Sequence, residues 1–246
     1  MRTFAKSDVG KAREVNQDYY CMTQPDERIK IYIVADGMGG YKGGEVASKL
    51  AALSAKSYIE THFDNIKYDR QQILDLVKNA VEYANMVVYE ESKKDKNLEG
   101  MGTTIDVCLI YNNKVYIGHV GDSRVYRIRK DFIRKLTVDH SYVEKLIKDG
   151  KITKEQAKNH PKKNMLLKAL GCTAYVEPDV YVRGFIQGDI LILASDGLTN
   201  MVSEEKIFKV VKENNIINEE EIVTKLVDEA NKNGGYDNIT VIIITK

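Results

Sequence analysis

The chain reads as an α+β protein in which two stacked, mainly antiparallel sheets carry helices on their outer faces. Three observations predict this. Strand-like segments follow one another across short polar turns, as in TTIDVCLIYN, KVYIGHVGD, SRVYRIR and FIRKLT, and strands joined that way pair antiparallel. Helical segments come in pairs instead of alternating with strands, so the repeat of a parallel sheet is missing. A polar insertion over residues 138–171 separates two groups of strands.

Taken in order, TFAKSD, DYYCMT and IYIVAD are the first strands. The third is a branched aliphatic run over residues 31–35 that ends on Asp36 and meets Gly37, Gly39, Gly40, Gly43 and Gly44. A carboxylate delivered into bare backbone suits a hard cation or an oxyanion. A tight turn with Asp36 as a local cap is the alternative. Helices follow over about residues 45–62 and 71–92, the second with apolar positions at Ile73, Leu74, Val77, Val81, Ala84, Val87 and Val88 that fit a 3.6-residue period. The next strands turn at Asn112-Asn113 and at Lys130-Asp131.

Within the insertion, Ser141 with Glu144 and Thr153 with Gln156 are capping-box pairs. They predict two short helices, split near Gly150 and ending before His160-Pro161. An insertion of that length is either a lid or a surface elaboration. VEPDVYV and DILILASD resume the strands, helices are expected over residues 203–214 and 218–231, and NITVIIIT is the last strand.

Composition removes several classes of function. Of 246 residues 43% are hydrophobic, enough for one large domain with an ample core. Lysine plus arginine number 37 against 36 acids, so a net charge of +1 gives no case for nucleic acid. No apolar run approaches the roughly 18 residues of a membrane span, and the first residues lack a signal peptide's apolar core. Cys21, Cys108 and Cys172 are far apart, which argues for a reducing cytoplasm and against a zinc site. With only four histidines, any metal would lean on carboxylates, favouring Mg²⁺ or Mn²⁺.

The acids have a pattern of their own. Asp36, Asp196 and Asp122 stand where strands end, Asp237 just before the last strand, and Asp18 at the start of the second. Turns are served equally by Asn or Ser, so five acids exceed what turn chemistry asks. Brought to one edge they would repel and raise one another's pKa, and hard divalent cations would relieve that. Arg13, five residues before Asp18, either grips a phosphate through paired hydrogen bonds or makes a plain salt bridge.

These motifs together resemble the bacterial metal-dependent Ser/Thr protein phosphatases of the type 2C (PPM) family. The matching stretches are Arg13-x-x-Asn16-Gln17-Asp18, Asp36-Gly-Met-Gly-Gly, Gly44-Glu45-x-Ala-Ser, Gly100-Met-Gly-Thr-Thr and Gly118-His-Val-Gly-Asp-Ser-Arg124. They continue with Asp139-His-Ser141, Asn159-His-Pro161, Ala194-Ser-Asp-Gly-Leu198 and Gly235-x-Asp-Asn-Ile-Thr240. Each is short, but in this order they run from Arg13 to Thr240, and the resemblance covers residues 2–245.

The resemblance implies one phosphatase domain over residues 1–246, an α-β-β-α sandwich with a flap at about 138–165. It implies Asp36 bridging two Mn²⁺ or Mg²⁺ ions with the Gly37 carbonyl on one of them, Asp196 and Asp237 on the other, and Asp18 orienting metal-bound water. Asp122 would help Asp196 hold a third, weaker ion, and Arg13 would grip the substrate phosphate. Two cations about 4 Å apart lower the pKa of a bridging water, whose hydroxide attacks phosphorus in line to release inorganic phosphate without a phosphoenzyme. Substrates would be phosphoserine and phosphothreonine proteins, with a cognate Ser/Thr kinase as opposing partner. A cytoplasmic monomer that contacts neither nucleic acid nor membrane is expected.

One position departs from the resemblance: bacterial members commonly read Asp-Gly-Met-Gly-Gly-His, and here the last place is Tyr41. Tyrosine, with a pKa near 10, gives up a proton less readily at neutral pH than histidine; alternatively it stacks on substrate. Other chemistries fail on spacing. A cysteine phosphatase needs arginine six places after its cysteine, where this chain has Glu27, Lys114 and Pro178. The glycines after Asp36 miss the dinucleotide fingerprint at Lys42, and no P-loop is present. Two readings survive beside the main one. They are a stage II sporulation E type phosphatase with one dedicated substrate, and a catalytically dead binding module, against which Asp36, Asp196 and Asp237 all stand.

Overall fold

The strands read as near-continuous apolar runs because each serves two cores. A computed structural model of the chain describes residues 1–24, 27–213 and 218–246, with the backbone alone at 40–42 and 213. β1 (Arg2–Asp8), β2 (Asp18–Met22) and β3 (Lys30–Met38) lead into helices α1 (Gly40–His62) and α2 (Arg70–Ser92). β4 (Gly102–Thr103), β5 (Ile105–Tyr111), β6 (Lys114–Val120), β7 (Arg124–Arg129) and β8 (Phe132–Lys135) follow. The insertion contributes α3 (Tyr142–Lys148) and α4 (Lys154–Lys158). Then come β9 (Asp179–Gly184), β10 (Ile190–Ala194), α5 (Asp196–Thr199), α6 (Glu204–Glu213), α7 (Glu219–Lys232) and β11 (Ile239–Thr245).

One sheet has the order β1-β11-β10-β7-β8 and the other β2-β3-β5-β6-β9, with β4 added beside β3. Every pair is antiparallel, so the expected α+β sandwich is what the chain forms. The two-residue period of a strand sorts its side chains between layers. In β3, Ile31, Ile33 and Ala35 pack under α1 and α2, while Tyr32 and Val34 enter the layer between the sheets. In β10, Ile192 and Ala194 meet α6 and α7 while Leu191 and Leu193 face the middle layer. β11 divides likewise, with Val241 and Ile243 outward and Ile242 and Ile244 inward.

The structure corrects two boundaries and adds one short helix. β3 does not end at Asp36 but runs on to Met38, because Gly37 and Met38 pair with Thr103 and Gly102 of β4. α1 begins at Gly40 and not at residue 45, so it includes Gly43 and Gly44. A helix interior disfavours glycine by about 1 kcal/mol each, and close packing overrides that here. A Cβ on Gly37 would lie 2.0 Å from the Gly44 carbonyl oxygen, and one on Gly44 would lie 2.8 Å from the Gly37 carbonyl carbon. The end of β3 and the start of α1 therefore touch backbone to backbone. A short helix, α5, opens at Asp196; it is too brief to show a period. The last residue of the helix expected over 203–214 lies outside the described residues.

The insertion caps both of its helices as expected, with a full capping box at the second only. Thr153 and Gln156 make both bonds of a capping box, at 2.8 and 3.2 Å, and Ser141 accepts from the Glu144 N–H at 3.3 Å. Among the described residues no helix is long and apolar enough to cross a membrane.

Candidate functional site

Strand pairing and three loops bring the acids singled out in the sequence to one cleft. Its walls include Asp36 and Gly37 of β3, Asp122 of the β6–β7 loop, Asp196 opening α5, and Asp237 before β11, with Arg13 at the rim. Asn164 and Leu166, from the insertion over residues 138–171, line it as well. Asp18 stands directly opposite Asp36 in the β2–β3 register, and directly paired residues present their side chains to the same face.

Hydrogen bonds from neighbouring segments hold Asp36 and Asp18 in place. The Asp36 N–H donates to Thr104 Oγ1 at 3.0 Å, and the Asp36 carbonyl accepts from the Thr104 N–H and the Thr103 hydroxyl, both at 2.9 Å. Asp18 Oδ2 accepts from the Ser195 hydroxyl at 2.7 Å, and Ser195 Oγ in turn accepts from the Thr240 N–H at 2.9 Å. Asn238, also buried, ties the loop that carries Arg13 to the root of β11. Its amide donates to the Val9 and Val15 carbonyls at 2.9 and 3.0 Å, and its Oδ1 accepts from the Gln17 N–H at 2.8 Å.

The electrostatics are those of crowded, buried carboxylates. Burial is the first cause in each, and the neighbouring acids add to it. Asp36 is raised well above the carboxylate range by burial and then by Asp18, Asp196, Asp122 and Asp237. Asp18 is pushed up to about 7 despite the Ser195 and Thr240 hydrogen bonds, and Asp122 also to about 7. Asp196 rises to about 6, with Asp237 the main neighbour. Arg13 answers part of this charge. Its Nη2 donates to Asp237 Oδ2 at 2.9 Å, and the bond and charge of Asp237 hold the guanidinium's pKa above its usual value. The pair is half exposed, so it adds little stability. The two alternatives for Arg13 are thus compatible: it makes a salt bridge and stands at the mouth of the cleft.

The acids share the cleft without closing up. Among the described residues, no three His, Cys, Asp or Glu side chains form a group ready to hold an ion. The donor chemistry nonetheless fits a hard cation. Asp18 Oδ1 and Asp196 Oδ1 are buried without a hydrogen-bond partner, which is costly unless a ligand is present. The set is all oxygen, as Mg²⁺ and Mn²⁺ require.

Comparison with known proteins gives the family. The sequence matches the protein phosphatase 2C family over residues 10–229. The serine/threonine phosphatase stp of Listeria innocua is 39% identical over 244 residues, 98% of this chain and 94% of that protein. The S. agalactiae serine/threonine phosphatase structure superposes with a TM-score of 0.89 at 33% identity, covering 100% of this chain and 99% of that one. The catalytic domain of the serine/threonine protein phosphatase PstP, solved in complex with two manganese ions, has a TM-score of 0.84 at 32% identity over 98% of this chain and 96% of that one. The chain therefore belongs to the protein phosphatase 2C family and is a protein serine/threonine phosphatase.

Of the residues singled out in the sequence, Arg13, Asp36, Gly37, Asp122, Asp196 and Asp237 line the cleft, and Asp18 adjoins Asp36. Tyr41 falls in the first turn of α1, and its side chain lies outside the described residues. The sequence does not disclose the supporting roles of Ser195 and Asn238, although both sit inside matching motifs. The available signal was polarity: each is a hydrogen-bonding residue at a junction that must be buried.

Ser195→Ala is expected to remove a donor to Asp18 and strand the Thr240 N–H. Removing such a supporting bond costs about tenfold or more in metal affinity or activity, and the orphaned groups cost about 1–3 kcal/mol. A shift of the Mn²⁺ activation midpoint to higher concentration, together with a lower melting temperature, is the predicted pair of readings. An unshifted midpoint would make Ser195 structural only.

Proposed function

We propose that this chain, one phosphatase domain over residues 1–246 with its flap at about 138–165, hydrolyses phosphoserine and phosphothreonine on proteins with two hard divalent cations, Mn²⁺ or Mg²⁺. The observation that carries the reading is the gathering of Asp36, Asp122, Asp196 and Asp237 in one cleft with a guanidinium at its rim. Asp36 and the Gly37 carbonyl would hold one ion, and Asp36, Asp196 and Asp237 the other, with Asp122 and Asp196 able to take a third. When bound, such ions supply Lewis acidity and make water a nucleophile near neutral pH.

The chain's own residues do the rest. Arg13 presents a planar donor pair to two phosphoryl oxygens, holding the phosphorus in line and offsetting charge as it builds. Asp18, held by Ser195, accepts a hydrogen bond from the attacking water and fixes its direction. The backbone contact of Gly37 with Gly44 keeps Asp36 from moving away as charge redistributes. Tyr41 is assigned to substrate contact. In the cell the enzyme would work in the cytoplasm as a monomer, opposing a Ser/Thr kinase.

Phosphate release from a phosphothreonine peptide, measured with Mn²⁺, with Mg²⁺ and with excess EDTA, tests this. Release with either metal and none in EDTA is expected. Full turnover in EDTA would overturn the metal assignment, and a folded protein inactive with both metals would favour the binding-module reading.

A further inference from the structure

The phosphate cleft is acidic, yet its substrate is an anion. Its ions and Arg13 serve the phosphate itself, which leaves the residues flanking the phosphoresidue to meet the rim, and there the flap is cationic. Residues 141–165 contain seven lysines against three acids, on a chain whose total is +1. Two of those acids are already matched within the flap, Asp149 with Lys151 at 3.8 Å and Glu155 with Lys158 at 3.1 Å. Lys162 and Lys163 are different. Both are exposed, and they immediately precede Asn164, which lines the cleft.

The turn that carries them is fixed. The Lys162 N–H donates to His160 Nδ1 and the Lys163 N–H to the His160 carbonyl, each at 3.1 Å. The Met165 N–H closes onto the Lys162 carbonyl at 3.1 Å, and the Met165 carbonyl accepts from the Tyr142 N–H at 2.8 Å. The Lys162 ammonium lies 5.3 Å from the centre of the Tyr142 ring. Among the described residues neither ammonium meets a carboxylate. Two unmatched cations are therefore held on a rigid turn one and two residues from the cleft wall.

We propose that Lys162 and Lys163 select substrates carrying carboxylates beside the phosphorylated residue. The proposal rests on the phosphatase reading above and names its substrate class. A peptide whose phosphate reaches Arg13 must pass the flap, because Asn164 and Leu166 form part of the same wall. Aspartate or glutamate near the phosphoresidue then meets the two ammonium groups, while a basic neighbour is repelled by them. The near-neutral total charge rules out a general attraction for anions, so the preference is local.

The test uses the whole Mn²⁺-loaded protein and three phosphothreonine peptides of equal length, flanked by Asp, by Ala or by Lys, with p-nitrophenyl phosphate as a flank-free control. We expect kcat/KM in the order Asp, Ala, Lys, with about a threefold to tenfold gap between Asp and Ala, since two exposed ion pairs are worth that much. The gap should lie in KM, shrink in 0.5 M NaCl, and vanish in the Lys162→Gln/Lys163→Gln double variant, whose p-nitrophenyl phosphate turnover stays unchanged. Equal kcat/KM for the Asp and Ala peptides, or a preference that survives in the double variant, overturns the proposal. Lysine-dependent binding of DNA or anionic vesicles without a peptide preference also overturns it. Failure of the parent protein to turn over p-nitrophenyl phosphate would strike the phosphatase reading instead, so the two failures are distinguishable.

Discussion

Asp36→Asn is expected to lower kcat on the order of a thousandfold or more while raising the melting temperature of the metal-free protein at pH 8. Both effects have one cause. Asp36 is buried among four other carboxylates, and burial followed by Asp18, Asp196, Asp122 and Asp237 makes its ionised form unfavourable. Asparagine keeps the shape and the backbone bonds to Thr103 and Thr104, so the fold has no reason to change. What disappears is an acid that the folded, metal-free chain cannot ionise freely among its neighbours, and with it the ligand that a cation needs. An acid placed for stability would behave the other way, losing stability on neutralisation. Phosphate release at saturating Mn²⁺ and calorimetry in EDTA read the two effects separately. Turnover within tenfold of the parent would remove Asp36 from the metal set, and a lower melting temperature would make it structural.

That opposition between stability and function also explains what could be read in the sequence. Five aspartates stood out because turns do not require acids. The fold stood out because β3, β5, β10 and β11 must be apolar on both faces to lie between helices and a second sheet. Ser195 and Asn238 did not stand out, since serine and asparagine at strand ends are what ordinary turns use. Only the structure shows that one hydroxyl binds Asp18 and one amide spans two carbonyls. Asp139 is the converse case. It belongs to a quoted motif, yet it sits buried against Arg124 at 2.7 Å and Lys135 at 3.0 Å, and these cations hold its carboxyl below the usual range against burial. A matched acid and an unmatched one look alike in sequence; their partners, distant in the chain, decide which is structural. The start of α1 was misplaced for a related reason. Glycine signals a helix boundary until a close approach such as Gly37 to Gly44 makes glycine the residue that fits.

The metal-free protein should lose stability as pH rises from 6.5 to 8, and Mn²⁺ should abolish that loss. A carboxylate whose pKa is raised by folding keeps its proton in the native state after the unfolded chain has released one. Its contribution is therefore present at low pH and is lost as pH rises through the folded value. Asp18 and Asp122 reach about 7, so their loss falls in this window. Together they are worth roughly 1–2 kcal/mol, or about 4 °C in melting temperature. Asp139, Asp179 and Asp189 are shifted downward and act only in acid. His140, pushed down to about 4 by burial and by His119, opposes the trend, but only below its unfolded value near 6.5. His119 is raised, its buried contact with Asp106 at 2.7 Å outweighing desolvation, and it would add to the fall. The Asp36→Asn variant keeps both histidines, so the difference in slope between parent and variant isolates the carboxylate cluster. With Mn²⁺ bound the sign should turn, because an ion competes with protons for the same oxygens and holds more tightly as pH rises. A parent protein whose melting temperature in EDTA is flat from pH 6.5 to 8, or whose slope Mn²⁺ leaves unaltered, would mean that the cleft's acids are already relieved within the chain and that the ions bind elsewhere.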